Sequence, residues 1–170
     1  PMQGVAFAFE NGGVLRASID AGPVTMGEVY SVLPFQNTLA TFEATGETLV
    51  KALENGASQY EDAAGRFAQV AGLKYTLDPK AEVGHRISAV EVKSGDGWAP
   101  IDPAATYKVV TNNYVRGGGD GYKMFADAAN AYDFGPDLAD VLAEWLAQQG
   151  AGFKPAVDGR ITVKIGRAHV

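Results

Sequence analysis

Asp120 stands inside the glycine-rich run Gly117-Gly118-Gly119-Asp120-Gly121. A carboxylate with that much backbone freedom around it can accept hydrogen bonds from a sugar diol. Phe35 and Tyr114 each fall where a regular element gives way to a loop. Aromatic faces at such places can stack on a nucleobase for roughly 1 to 3 kcal/mol each. Arg16 follows the turn-forming Asn11-Gly12-Gly13 and could pair with a phosphate through its planar fork of donors. Each residue also has a plainer reading. The glycine run lacks the Lys-Ser/Thr ending of a P-loop and the spacing of a dinucleotide fingerprint, so by composition alone it reads as a flexible turn. The two rings also read as ordinary core aromatics, as most aromatics in a chain of this size are, and Arg16 as a solvated surface cation.

Other chemistries find little support. Metal-assisted hydrolysis of a phosphate ester draws on several His, Asp and Asn ligands, and apart from His169 near the end the chain has one histidine, His85. It lies in the polar segment Glu82-Val83-Gly84-His85-Arg86 and reads as a surface residue without a role; no metal site is expected. Fourteen Lys and Arg against 20 Asp and Glu leave a net charge of −6 with no basic run. Nucleic acid is therefore not an expected partner, because phosphate backbones need a basic face. A small anion can still be held where a few arginines are aimed at it locally. The absence of cysteine removes disulfides and thiolate metal sites and leaves the compartment open. Apolar stretches fall far short of the roughly 20 residues needed to cross a bilayer, so no membrane partner is expected either.

These side chains must be carried by regular elements, and 170 residues suffice for one domain with a buried core. Val5–Phe9 reads as a buried strand that Asn11-Gly12-Gly13 turns toward a second extended piece at Leu15–Ile19. Thr25 with Glu28 three residues on has the capping-box pattern, which predicts a helix over Met26–Leu33 ended by Pro34. Asn37–Ala44 alternates as a strand, Thr45 caps a helix through Leu49, Val50 and Leu53, and Gly56 reads as its stop. Ser58–Arg66 is a polar loop. Leu73–Leu77 and Ile87–Val92 alternate, Ser94-Gly95-Asp96-Gly97 makes a hairpin into Trp98–Ile101, and these strands should pair antiparallel. Tyr107–Tyr114 is a further strand delivering the chain into the glycine loop. Leu138, Val141, Leu142, Trp145 and Leu146 keep helical spacing between Pro136 and Gly150, and Arg160–Lys164 closes as a strand. The fold class is α+β, with mixed, largely antiparallel sheets flanked by helices.

Both ends read as cut. Pro1-Met2-Gln3 runs into an apolar stretch with no leader, and Ile165–Val170 resembles a translated sequencing adapter, so residues 1–164 are taken as the domain and 165–170 as a non-native tail.

Four segments, in order, resemble the C-terminal domain of the 5'-nucleotidase family, which includes UDP-sugar hydrolases. Asn11-Gly12-Gly13-Val14-Leu15-Arg16 is similar to that family's Asn-Gly-Gly-Gly-Ile-Arg, and Leu33-Pro34-Phe35-Gln36-Asn37 to its Leu-Pro-Phe-Gly-Asn. Gly65-Arg66-Phe67-Ala68-Gln69-Val70-Ala71-Gly72 is similar to its Gly-Arg-Phe-Pro-Gln-Val-Ser-Gly, and Asn112-Asn113-Tyr114 with Gly118-Gly119-Asp120-Gly121-Tyr122 to its final ligand loop. The resemblance implies a nucleotide ligand whose base lies between Phe35 and Tyr114. It further implies Asn37 as a base contact, Gly65 as a backbone contact, Asp120 on the ribose and Arg16 on the phosphate. It implies as well an N-terminal metallophosphoesterase domain outside this chain, carrying two divalent metal ions, toward which a domain rotation brings the nucleotide. This chain alone would then be inactive, and the whole protein periplasmic or at the cell surface. A UDP-sugar, NAD or cyclic-nucleotide hydrolase, and a stand-alone nucleotide-binding module, fit the same motifs. Three positions depart from the family pattern: Val14 and Gln36 replace glycines, and Ala68 replaces a proline. Were position 14 to need positive φ, the β-branched Val14 would strain the loop and move Arg16.

Overall fold

The computed structural model describes residues 4–164; the expected tail at 165–170 lies outside them. Two sheets form the frame. The first is built from β1 (Phe7–Asn11), β2 (Leu39–Thr45), β3 (Ala68–Ala71), β7 (Thr106–Asn112) and β8 (Ala129–Tyr132), in the order β3-β1-β7-β2-β8. The second is built from β4 (Leu73–Leu77), β5 (Ile87–Ser94), β6 (Gly97–Pro100) and β9 (Ile161–Val163), in the order β6-β5-β4-β9. The β1–β7 and β4–β9 pairs are parallel and the other pairings antiparallel. With its helices this is the mixed α+β arrangement expected.

Helix α1 (Met26–Val32) carries the full capping box: the Thr25 hydroxyl accepts from the Glu28 backbone N–H, and Glu28 accepts from that of Thr25. Thr45 caps α2 (Gly46–Ala57) in the same manner, accepting from the Thr48 backbone. Buried Leu49, Ala52, Leu53, Gly56 and Ala57 line one face of α2 at helical spacing. This face packs into a core with Phe9, Phe42, Val109 and Tyr122, and with Phe125 from the short α4 (Lys123–Ala126). Burying each such side chain is worth about 1.5–3 kcal/mol. A smaller cluster, Val14, Val29, Val32, Leu33 and Ala139, joins α1 to α5 (Leu138–Gln149).

Four details correct the sequence reading. Leu15–Ile19 is not a strand; it runs along α1, with the Arg16 N–H donating to the Val32 carbonyl at 2.9 Å. Gly56 does not stop α2, which continues to Ala57; a Cβ there would lie 2.9 Å from the Tyr122 hydroxyl, so the glycine answers to packing. Strand β7 ends at Asn112, and Tyr114 rides on a short helical turn, α3 (Asn113–Arg116). Arg86, read within a polar segment beside exposed His85, is buried: its guanidinium donates to both Glu61 oxygens and to the Ala57 and Ala81 carbonyls. Strands β3 and β8, four residues each, were not foreseen.

Candidate functional site

One end of the first sheet gathers the loops that carry the candidate residues. Because β1 and β7 run parallel, their final residues Asn11 and Asn112 reach the same edge. Because β2 and β3 run antiparallel to these neighbours, their first residues arrive there too, Leu39 opposite Asn112 and Ala68 opposite Asn11. The turn at Gly12–Val14, the Phe35–Asn37 link, the Ser58–Phe67 loop and the Tyr114–Gly121 segment therefore surround one cleft. It has a volume of about 390 Å³ and is lined by Arg16, Phe35, Asn37, Gly65, Tyr114 and Asp120, together with Asn11, Gly13 and Val14.

The two rings are not core residues: Phe35 is 55% and Tyr114 49% exposed. Tyr114 lies against Gly119, where an added Cβ would come within 2.5 Å of its ring atoms. Its hydroxyl donates to Asp120 Oδ1 at 3.0 Å and accepts from the Asp120 N–H at 3.3 Å. Asp120 Oδ2 accepts from Asn11 Nδ2 at 2.7 Å, and the Asp120 carbonyl accepts from Asn55 Nδ2 at 3.1 Å. Asp120 itself adopts a left-handed backbone, φ 52° and ψ 26°, a conformation Asp tolerates better than most residues. Across the cleft, Thr38 exchanges hydrogen bonds with Asn113: its N–H donates to the Asn113 side chain at 3.1 Å, and its carbonyl accepts from the Asn113 N–H at 2.9 Å. The Phe35–Asn37 link is thus tied to the turn that bears Tyr114.

Gly13 and Gly65 form the floor, the Gly13 N–H donating to the Gly65 carbonyl at 2.8 Å. A Cβ on Gly13 would stand 2.9 Å from the Gly65 Cα, which excludes a side chain there, and one on Gly65 would stand 3.1 Å from the Gly13 Cα, which leaves little room for one. The Arg16 guanidinium is exposed at the rim and, among the described residues, has no hydrogen-bond or ion-pair partner. Strain falls elsewhere than expected. Val14 has no positive φ; its side chain is buried against Val29, Val32 and Leu33, which anchors the turn before Arg16. The positive φ belongs to Gln36, at 54°, between Phe35 and Asn37.

Sequence reading gave no role to three residues, Asn11 in the cleft lining and Asn112 and Glu10 behind it. Asn112 is fully buried and Asn11 nearly so. Asn112 Oδ1 accepts from the Val115 N–H at 2.8 Å, capping the turn that bears Tyr114, while its Nδ2 donates to Asn11 Oδ1 at 3.0 Å and to Glu10. Burial pushes the Glu10 carboxyl up to about 7, partly offset by hydrogen bonds from Asn112 and the Asn11 backbone. The paired asparagines Asn112-Asn113 were the available signal; their burial follows only from the β1–β7 pairing.

Among the described residues, no three His, Cys, Asp or Glu side chains are grouped to hold a metal ion, and no helix is long and apolar enough to cross a membrane. A family model described as the 5'-nucleotidase C-terminal domain matches residues 2–127. The chain is 42% identical over 159 residues to the trifunctional nucleotide phosphoesterase protein YfkN of Bacillus subtilis, covering 93% of this chain and 11% of that protein. The crystal structure of the 5'-nucleotidase precursor from Thermus thermophilus matches with a TM-score of 0.91 at 43% identity, over 94% of this chain and 32% of that one. NAD nucleotidase from Haemophilus influenzae matches with a TM-score of 0.81 at 28% identity, over 95% of this chain and 30% of its own. The chain spans a third or less of the length of these relatives. The family model covers most of the chain, and the chain belongs to the 5'-nucleotidase C-terminal domain family.

Proposed function

We propose that this domain recognises a nucleotide for a 5'-nucleotidase-type phosphohydrolase. Phe35 and Tyr114 hold the base between them, Asn37 meets its edge, Gly65 offers backbone, Asp120 accepts from the ribose hydroxyls and Arg16 meets the phosphate. The observation that carries this reading is the convergence of all six residues on one cleft of about 390 Å³, a volume in the range of small-ligand sites. The half-exposed rings leave aromatic surface open to solvent, and stacking a base on such a ring is worth roughly 1 to 3 kcal/mol. The unpaired Arg16 guanidinium at the rim is available to an anion despite the acidic net charge.

Bond cleavage is assigned elsewhere. The donors at the cleft are one carboxylate, already bonded to Asn11 and Tyr114, and two carboxamides, a poor set for a divalent ion. The metal chemistry belongs in this reading to an N-terminal metallophosphoesterase domain with two divalent ions, to which this domain presents the phosphate. The same reading puts the whole protein in the periplasm or at the cell surface, which fractionation of the source cells would test.

The test is calorimetric titration with adenosine, AMP, UDP-glucose and NAD, repeated on Phe35→Ala and Tyr114→Ala. Either substitution should weaken every base-bearing ligand about tenfold or more, while Arg16→Ala should weaken AMP and leave adenosine unchanged. Binding indifferent to both ring deletions would refute the clamp. Turnover of AMP by the isolated chain with added Mn²⁺ or Zn²⁺ would refute the division of labour.

A further inference from the structure

We infer that Asn112, which does not line the cleft, is a positioning residue that fixes the polarity and place of the Asp120 carboxylate through Asn11. The inference rests on the reading of Asp120 as the ribose contact. Each amide in the series has its orientation dictated by the one before it. The Val115 N–H can only donate, so it faces the Asn112 carbonyl oxygen, at 2.8 Å. That turns Asn112 Nδ2 toward Glu10 and toward Asn11 Oδ1, the latter at 3.0 Å. Asn11, its oxygen taken, has only Nδ2 to offer Asp120, at 2.7 Å. The Tyr114 hydroxyl donates to the other carboxylate oxygen at 3.0 Å, and Tyr114 stands on the turn that Asn112 caps. The circuit therefore closes: one buried side chain orders both the ring and the carboxylate.

This polarity has a consequence for ligand choice. With each Asp120 oxygen receiving one protein donor, the lone pairs left over can only accept. A ligand must bring donors there, as a vicinal diol does, and one offering acceptors or nothing forfeits the contact. Were Asn11 free to flip, its oxygen would oppose the carboxylate and drive it from this position. Buried networks of this kind rigidify a site when every member is satisfied, and among the described residues the series runs without an unpaired amide group.

The decisive variant is Asn112→Ser, since serine is a good helix cap but lacks the amide donors. Titrations with adenosine and 2′,3′-dideoxyadenosine separate the hydroxyl-dependent share of affinity. Asn112→Ser should weaken adenosine about tenfold and dideoxyadenosine less than about twofold, and it should change nothing further in an Asp120→Ala background. Equal weakening of both ligands, or an undiminished effect in the Asp120→Ala background, would overturn the relay in favour of a merely structural role. Asn11→Ala is the second variant should Asn112→Ser not fold, with the same outcomes. If the unaltered chain binds neither ligand, the nucleotide reading fails. The relay is then decided by ligand-free crystal structures, in which Asn112→Ser or Asn11→Ala must displace the Asp120 carboxylate from Tyr114; an unmoved carboxylate rejects it.

Discussion

The two aromatic rings that line the cleft, Tyr114 and Phe35, mark two stretches of its wall that are held in different ways. Tyr114 is fixed three times over: by Gly119 beneath its ring, by Asp120 at its hydroxyl and by Asn112 capping its turn. Phe35 has no polar atom to anchor it and follows a segment whose next residue, Gln36, sits at φ 54°. A wall locked by hydrogen bonds can be broken by small changes far from the ligand. A wall set by backbone conformation responds to the residue that sets it. The first is fixed by hydrogen bonds within the chain; the second depends on the backbone of its own segment.

The largest difference between the walls should show in pH dependence. Native Glu10, behind the Tyr114 wall, keeps its proton up to about 7, against 4.5 ordinarily. Between those values the folded chain binds more protons than the unfolded one, so this group's contribution to stability falls as pH rises through the interval. The full span is worth about 3 kcal/mol. Glu10→Gln should flatten the pH 5–7 slope of the denaturation midpoint; an unchanged slope would locate the titration elsewhere.

Gly119→Ala should come next. Its methyl would collide with the Tyr114 ring, so base affinity should fall about as far as in Tyr114→Ala, a loss of roughly 2 kcal/mol, while the circular dichroism of the fold is kept. Wild-type affinity in this variant would mean that the ring does not touch the ligand. Tyr114→Phe keeps the ring and removes its bond to Asp120, and should cost about 1 kcal/mol of adenosine affinity but little with a dideoxy ligand. Smallest is Gln36→Gly on the other wall. Relief of the left-handed strain, offset by the added freedom of the unfolded chain, should raise stability by at most about 1 kcal/mol, with a slight loss of affinity as Phe35 loosens. Marked destabilisation in chemical denaturation would show that Gln36 makes contacts outweighing its strain.

The legibility of the chain follows the same division. Signals confined to a few neighbours were readable: the Thr25–Glu28 capping box, the spacing of Leu138 to Leu146, the hairpin at Ser94–Gly97. The residues facing the cleft were also named, because their types and motifs survive in one dimension. What escaped depends on partners distant in the chain. The parallel β1–β7 pairing buries Asn11 and Asn112 side by side, and nothing in their local sequence says so. Tyr114 extends an alternating run, yet the buried Asn112 cap turns it into a helix. Val14 looked like the strained replacement, but positive φ fell on Gln36, since tertiary packing of the turn and not the residue's own preference sets that angle.

A crystal structure of the chain with AMP bound tests the two-walled clamp most directly. The base should lie between Phe35 and Tyr114, the ribose hydroxyls should donate to Asp120, and the phosphate should lie toward Arg16. A nucleotide seated outside this cleft, or one inside it whose base touches neither ring, would contradict the assignment.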